Sequence, residues 1–104
     1  MKEDAMIVHA IDGSKEFDSY DLEDIPECDI FVYWYETAPY EGSGFSIWRK
    51  ENLYGYHNLD HCSCYGPLER ISPYTGYSLE EMETIVKNYL DEKASEVLAY
   101  IKEH

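Results

Sequence analysis

Cys28-Asp29-Ile30-Phe31-Val32-Tyr33-Trp34-Tyr35-Glu36-Thr37 is the stretch on which the fold turns. β-Branched and aromatic residues fill it, and no charge stands between Asp29 and Glu36, which is strand composition. Apolar residues occupy odd and even positions alike, so neither face of the pleat is left for water. That pattern predicts a central strand covered on one side by a helix.

Toward the C-terminus, Ala38-Pro39-Tyr40-Glu41-Gly42-Ser43-Gly44 reads as a turn. Phe45–Lys50 and Leu53–Leu59 read as two further strands separated by Glu51-Asn52, and short connections of this kind give an antiparallel meander. Gly66-Pro67 breaks the pattern. Ser78 then stands three residues before Glu81, a capping box, with Glu80, Glu81 and Glu83 where a helix N-terminus favours negative charge. Leu79, Met82, Ile85, Val86, Tyr89 and Leu90 form one apolar stripe, continued by Val97, Leu98 and Ile101. The spacing predicts one long helix over 79–103, or two with a kink near 91–95, packed on the sheet. Toward the N-terminus, Met6–Ile11 is a short apolar segment of ambiguous period, an edge strand or a helical turn. Residues 12–27 read as polar loop with one helical turn, anchored by Leu22 and Ile25.

The expected class is therefore α+β in one domain: a three- or four-stranded antiparallel meander against a long C-terminal helix or two helices. Its parts are an acidic N-terminal segment (1–27), antiparallel hairpins (28–59), a His-Cys-Ser-Cys loop (60–77) and the C-terminal helix (78–104). A chain of 104 residues, 44% apolar, suffices for one core.

Charge sets the expected partners. There are 22 acidic and 8 basic residues, a formal charge of −14. Such a surface repels nucleic acid and anionic membrane and attracts basic proteins. Residues 1–27 alone carry nine acids against Lys2 and Lys15, half the net charge. Cys28, Cys62 and Cys64 are odd in number, and Met1-Lys2-Glu3-Asp4 lacks the basic-then-apolar order of a secretory leader. The expectation is a cytoplasmic, reducing location with no disulfide framework. The apolar run Ile30–Tyr35 is too short to span a bilayer.

Reactive groups concentrate in one place, His57-Asn58-Leu59-Asp60-His61-Cys62-Ser63-Cys64. Three readings compete. His57, His61, Cys62 and Cys64 suit a tetrahedral zinc site by type, although all four sit in one tight segment and neighbours in an extended chain point apart. A His-activated thiolate would serve nucleophilic or redox chemistry, yet no acyl-transfer or phosphate-cradling signature accompanies it. Structurally, cysteine packs well under a tight turn, and His61 and Ser63 can bond the turn backbone. Glu36 and Glu41, at the ends of the first hairpin, are a weak carboxylate pair for acid–base work.

Tyr40-Glu41-Gly42-Ser43-Gly44, the aromatic hairpin through Tyr54 and Tyr56, and Leu59-Asp60-His61-Cys62-Ser63-Cys64-Tyr65-Gly66-Pro67-Leu68-Glu69 together resemble a family of small uncharacterised bacteriophage and prophage proteins. The marker is His-Cys-Ser-Cys-Tyr-Gly-Pro, and it transfers no catalytic residue. The resemblance implies a phage accessory protein in the host cytoplasm, a class often made of inhibitors of host defence or of nucleic-acid enzymes. The resulting expectation is a non-enzymatic binding protein, monomer or homodimer, that docks on a basic host protein in place of nucleic acid. Asp18, Asp21, Glu23, Asp24 and Glu27 would supply charge, and Tyr33, Tyr35, Tyr40 and Trp48 the aromatic anchors. The alternatives are a zinc module on His57, His61, Cys62 and Cys64, and a small enzyme using the same loop.

Overall fold

The computed structural model describes residues 7–39, 41–62, 68, 71–89 and 92–104. Within them the elements are β1 (Ile7–Ala10), α1 (Ser19–Leu22), β2 (Ile30–Ala38), β3 (Glu41–Lys50), β4 (Leu53–Asn58), β5 (His61–Cys62), α2 (Leu79–Tyr89) and α3 (Glu92–Lys102). The class is α+β, as expected.

The sheet runs β1-β2-β3-β4, with β5 also on β3. The quoted stretch is β2, and it is central, antiparallel to β3 from Ile30↔Arg49 to Ala38↔Glu41. β4 pairs with β3 in turn. β5 keeps the same register, Gly42↔His61 following Phe45↔Asn58 across the interruption at Leu59-Asp60. The His-Cys end of the expected loop is therefore sheet.

Two expectations need correction. The sheet is mixed, because β1 runs parallel to β2 (Ile7↔Ile30 to Ala10↔Tyr33). A parallel neighbour needs a crossover, and residues 11–29 supply it as coil with one short helical turn. The 38–44 turn is also far tighter than it reads. Glu41–Gly44 belong to β3, paired with Ala38, Thr37, Glu36 and Tyr35. Gly42 stays in the strand because its bare Cα leaves room for the His61 ring, which a Cβ would meet.

Each face of β2 and β3 carries its own core. On one lie Ile30, Val32, Phe45, Ile47 and Tyr54 under Met82, Val86, Ala94, Val97, Leu98 and Ile101. Of the apolar stripe, Met82, Val86, Val97, Leu98 and Ile101 pack in this core and Leu79 at its start is exposed, while the Tyr89 side chain and Leu90 lie outside the described residues. α2 and α3 fold back on one another: Lys102 Nζ lies 2.9 Å from Glu83 Oε2, nineteen residues earlier. A straight helix would separate residues so spaced by about 28 Å. Ser78 caps α2 as the sequence predicts, donating its N–H to Glu81 Oε1 (2.8 Å) while its Oγ accepts from Glu81 N (3.1 Å). Arg49 Nη1 donates to Ile101 O (3.1 Å), fastening the end of α3 to β3. His9 stacks on Tyr100 with ring centroids 3.8 Å apart, tying β1 to α3.

The opposite face holds Phe31, Tyr33, Tyr35, Trp48 and Leu59, covered by Phe17, Cys28 and Leu68 with Ile25 and Ile71 at the margin. The cover here is the crossover together with Leu68 and Ile71. Ile25 anchors as expected; Leu22 does not, remaining 44% exposed.

β4 is fastened at its outer edge by the Tyr54↔Tyr77 bridge, with N–H···O distances of 2.8 Å and 3.1 Å. Residues 72–77 come down onto the strand where it has no side chain. A Cβ on Gly55 would lie 2.2 Å from Tyr74 O and 2.7 Å from the Trp48 ring. Gly55→Ala should therefore cost about 1–3 kcal/mol through overpacking, measured by urea denaturation. An unchanged midpoint would contradict this close approach.

Candidate functional site

The acidic crossover is held by its own backbone. Ile11 N donates to Tyr33 O (3.1 Å) and Lys15 N to Tyr35 O (2.7 Å). Tyr35 N donates to Ser14 Oγ (2.9 Å), and Phe17 N to the Tyr33 hydroxyl (3.0 Å). Phe17 stacks on Tyr33 at 3.9 Å with planes 2° apart. Phe31 lies 6.0 Å from Tyr33 and 5.6 Å from Trp48, centroid to centroid. The rings form a platform, and the crossover is clamped to it.

This arrangement corrects the expected contact surface. Tyr33, Tyr35 and Trp48 are buried at 4% exposure or less, so they are core residues rather than exposed anchors. The sequence reading misplaced them because their face of the sheet is covered by coil, which hydrophobic periodicity does not announce. Tyr40 lies outside the described residues.

The carboxylates fare differently. Asp18 caps α1, its Oδ1 accepting from Asp21 N at 2.9 Å. Asp18, Glu23, Asp24 and Glu27 are exposed, and Asp21 is half-buried. Burial, together with the neighbouring Asp18 and Asp24 charges, raises the Asp21 carboxyl above its ordinary value. Like charges crowd here, and a bound cation would relieve them. Lys50 Nζ lies 3.6 Å from Glu27 Oε1, an exposed ion pair.

Between the acids stand apolar side chains absent from the sequence-based set. Tyr20 is 80% exposed, and Leu22, Val8 and Ile7 are also open. Val8, Ala10, Phe17, Leu22 and Tyr33 with Glu16 line a groove of about 240 Å³ between β1 and the crossover. The available signal was one aromatic, Tyr20, two residues before Leu22 in a short helical turn of a largely polar segment. Among the described residues, β1 pairs only with β2, leaving its other edge open beside this groove.

The His-Cys segment is only partly described. His57 and His61 lie on strand positions of one face, with buried Leu59 between them, and about 13 Å of extended chain separates their Cα atoms. His61 Nε2 is 2.7 Å from the Tyr35 hydroxyl. Among the described residues no three His, Cys, Asp or Glu side chains converge where a metal ion could sit. The Cys62 side chain and Cys64 fall outside that description.

Cys28 is the described thiol, buried in the second core at the end of the crossover. Burial, reinforced by the Asp29 charge, pushes it from an ordinary 9.0 up to about 12. Burial likewise raises the Tyr33 and Tyr35 phenols. These groups hold their protons in the fold, a setting for packing rather than nucleophilic attack.

No family model, curated protein or solved structure matches the chain. Among the described residues no helix is long and apolar enough to cross a membrane.

Two outcomes follow. Between pH 9.0 and about 12 the unfolded chain releases the Cys28 proton and the folded chain keeps it, so stability falls as pH rises through that window. Urea denaturation across it should show the decline, and Cys28→Ala should lessen it; a flat profile would show that the thiol is not shielded. Asp18→Ala removes a helix cap and should destabilise by about 1 kcal/mol, read from the thermal midpoint.

Proposed function

We propose that this protein is a non-enzymatic binding module that docks on a basic protein surface through its acidic crossover. The observation that carries the reading is that one crossover exposes Asp18, Glu23, Asp24 and Glu27 together with Tyr20 and Leu22, the last of which lines an apolar groove. A contact of this composition has an apolar centre for affinity and a charged rim for encounter rate and register. Tyr20, Leu22 and Val8 take the anchoring role first assigned to Tyr33, Tyr35 and Trp48.

The likeness to phage and prophage proteins extends the proposal. The partner would be a host defence or nucleic-acid-handling protein, inhibited because carboxylates occupy the place of phosphates. The net charge of −14 supports a cationic partner and opposes direct contact with nucleic acid. Zinc and enzymatic readings of His57–Cys64 draw no support from the described geometry.

The test is affinity capture from host lysate at low and high salt. The wild-type chain is compared with a triple variant (Glu16→Gln, Glu23→Gln, Asp24→Asn) and with Tyr20→Ala. A basic protein retained by the wild type should bind at least about tenfold more weakly at 0.5 M salt, where charges are screened within about 4 Å. Both variants should lose it while keeping the native melting temperature. Retention indifferent to salt and to both variants, or recovery of nucleic acid alone, would overturn the proposal.

A further inference from the structure

At the sheet edge opposite β1, beyond β4, lies a second and chemically different recess. Its walls come from Tyr56, His57 and Asn58 of β4 and from Ser72, Tyr74 and Tyr77 of the segment bridged to it, and its volume is about 270 Å³. Three of these six residues are tyrosines. Tyr77 meets Tyr74 edge-on, with centroids 5.4 Å apart and planes at 87°, and meets Tyr56 at 5.6 Å and 52°. The three rings thus present faces in widely different directions around one small space.

Their placement is enforced. Tyr56 and Tyr77 pack against the helix-side core. Tyr77 is fixed by its paired hydrogen bonds to Tyr54, and the backbone at Tyr74 lies close on Gly55. Tyr74 itself is 59% exposed, so its ring is an outer wall open to solvent. Gly76 lies directly under that ring, where a Cβ would come within 2.1 Å of the phenol.

Among the described residues the lining has aromatic faces, a few neutral polar groups and no carboxylate or Lys/Arg cation. Aromatic faces are the negative poles of their quadrupoles and attract cations. Without a carboxylate among these residues, the recess offers a primary ammonium no ion pair to replace its tightly held water. A methylated ammonium is large, weakly hydrated and apolar at its rim, which matches such walls. The volume is below the range of drug-sized pockets and suits one small group. The overall negative field concentrates cations around the molecule.

We propose that Tyr56, Tyr74 and Tyr77 form an aromatic cage that binds a quaternary trimethylammonium group. The same group occurs on a free choline-type molecule and on a trimethylated lysine side chain. The site is independent of the acidic crossover and lies at the other edge of the sheet, so either proposal can fail alone.

Tyrosine-ring NMR of the full chain, titrated with choline and with its neutral isostere 3,3-dimethyl-1-butanol, tests it. Choline should give saturable shifts at Tyr56, Tyr74 and Tyr77, and the alcohol should bind at least about tenfold more weakly because it lacks the charge. Tyr74→Ala should lose choline binding with the melting temperature unchanged, and Tyr74→Phe should keep it. Gly76→Ala, which displaces the Tyr74 ring, should weaken it. A trimethyl-lysine peptide binding more tightly than choline assigns the group to a modified protein, and the reverse assigns it to a free small molecule. Absence of saturable shifts at these rings, or equal affinity for the alcohol, would overturn the cage.

Discussion

Apolar side chains on both faces of β2 and β3 are the constraint on which the rest of the structure depends. A sheet with one wet face needs a single cover, whereas this one needs two. α2 and α3 close the first face. The second is closed by the crossover from β1, a stretch of low helical content that seats Phe17 and Cys28 on Phe31, Tyr33 and Trp48, and by Leu68. Because those anchors turn inward, the crossover's charged residues have only the outer surface to occupy. The concentration of carboxylates is therefore a geometric result of how the second core is covered.

Where pattern and packing coincide, the sequence was readable. β2 begins two residues inside the stretch chosen for it and ends one beyond, because β-branched and aromatic composition alone marks a doubly buried strand. The Ser78–Glu81 cap was legible because its chemistry is local. The parallel pairing of β1 was not, since four residues carry no sign of strand direction and the crossover lacks a helix long enough to announce one. Gly42-Ser43-Gly44 read as turn because glycine usually breaks strands, yet here the space it leaves is filled by a ring from β5.

The candidate surface shows the same division. Its charges were visible in composition and remain on the outside. Its aromatic contacts were misassigned, because a tyrosine in a strand looks the same whether its face meets solvent or coil. Tyr20 and Tyr74 are the strongly exposed tyrosines among the described residues, and both sit in segments that periodicity leaves unread. They also mark opposite edges of one sheet with different chemistry, anionic with an apolar groove at β1 and, among the described residues, aromatic around the recess at β4.

The central claim is that the acidic crossover is a fixed platform clamped to the second core, so that its carboxylates face a partner in a set arrangement. Hydrogen–deuterium exchange of the unbound chain measures this most directly. The amides of Ile11, Lys15 and Phe17, bonded to Tyr33 and Tyr35, should be protected to within about tenfold of the β2–β3 amides, as members of one cooperative unit. Exchange of all three at the rate of an open peptide, while β2 and β3 stay protected, would contradict it.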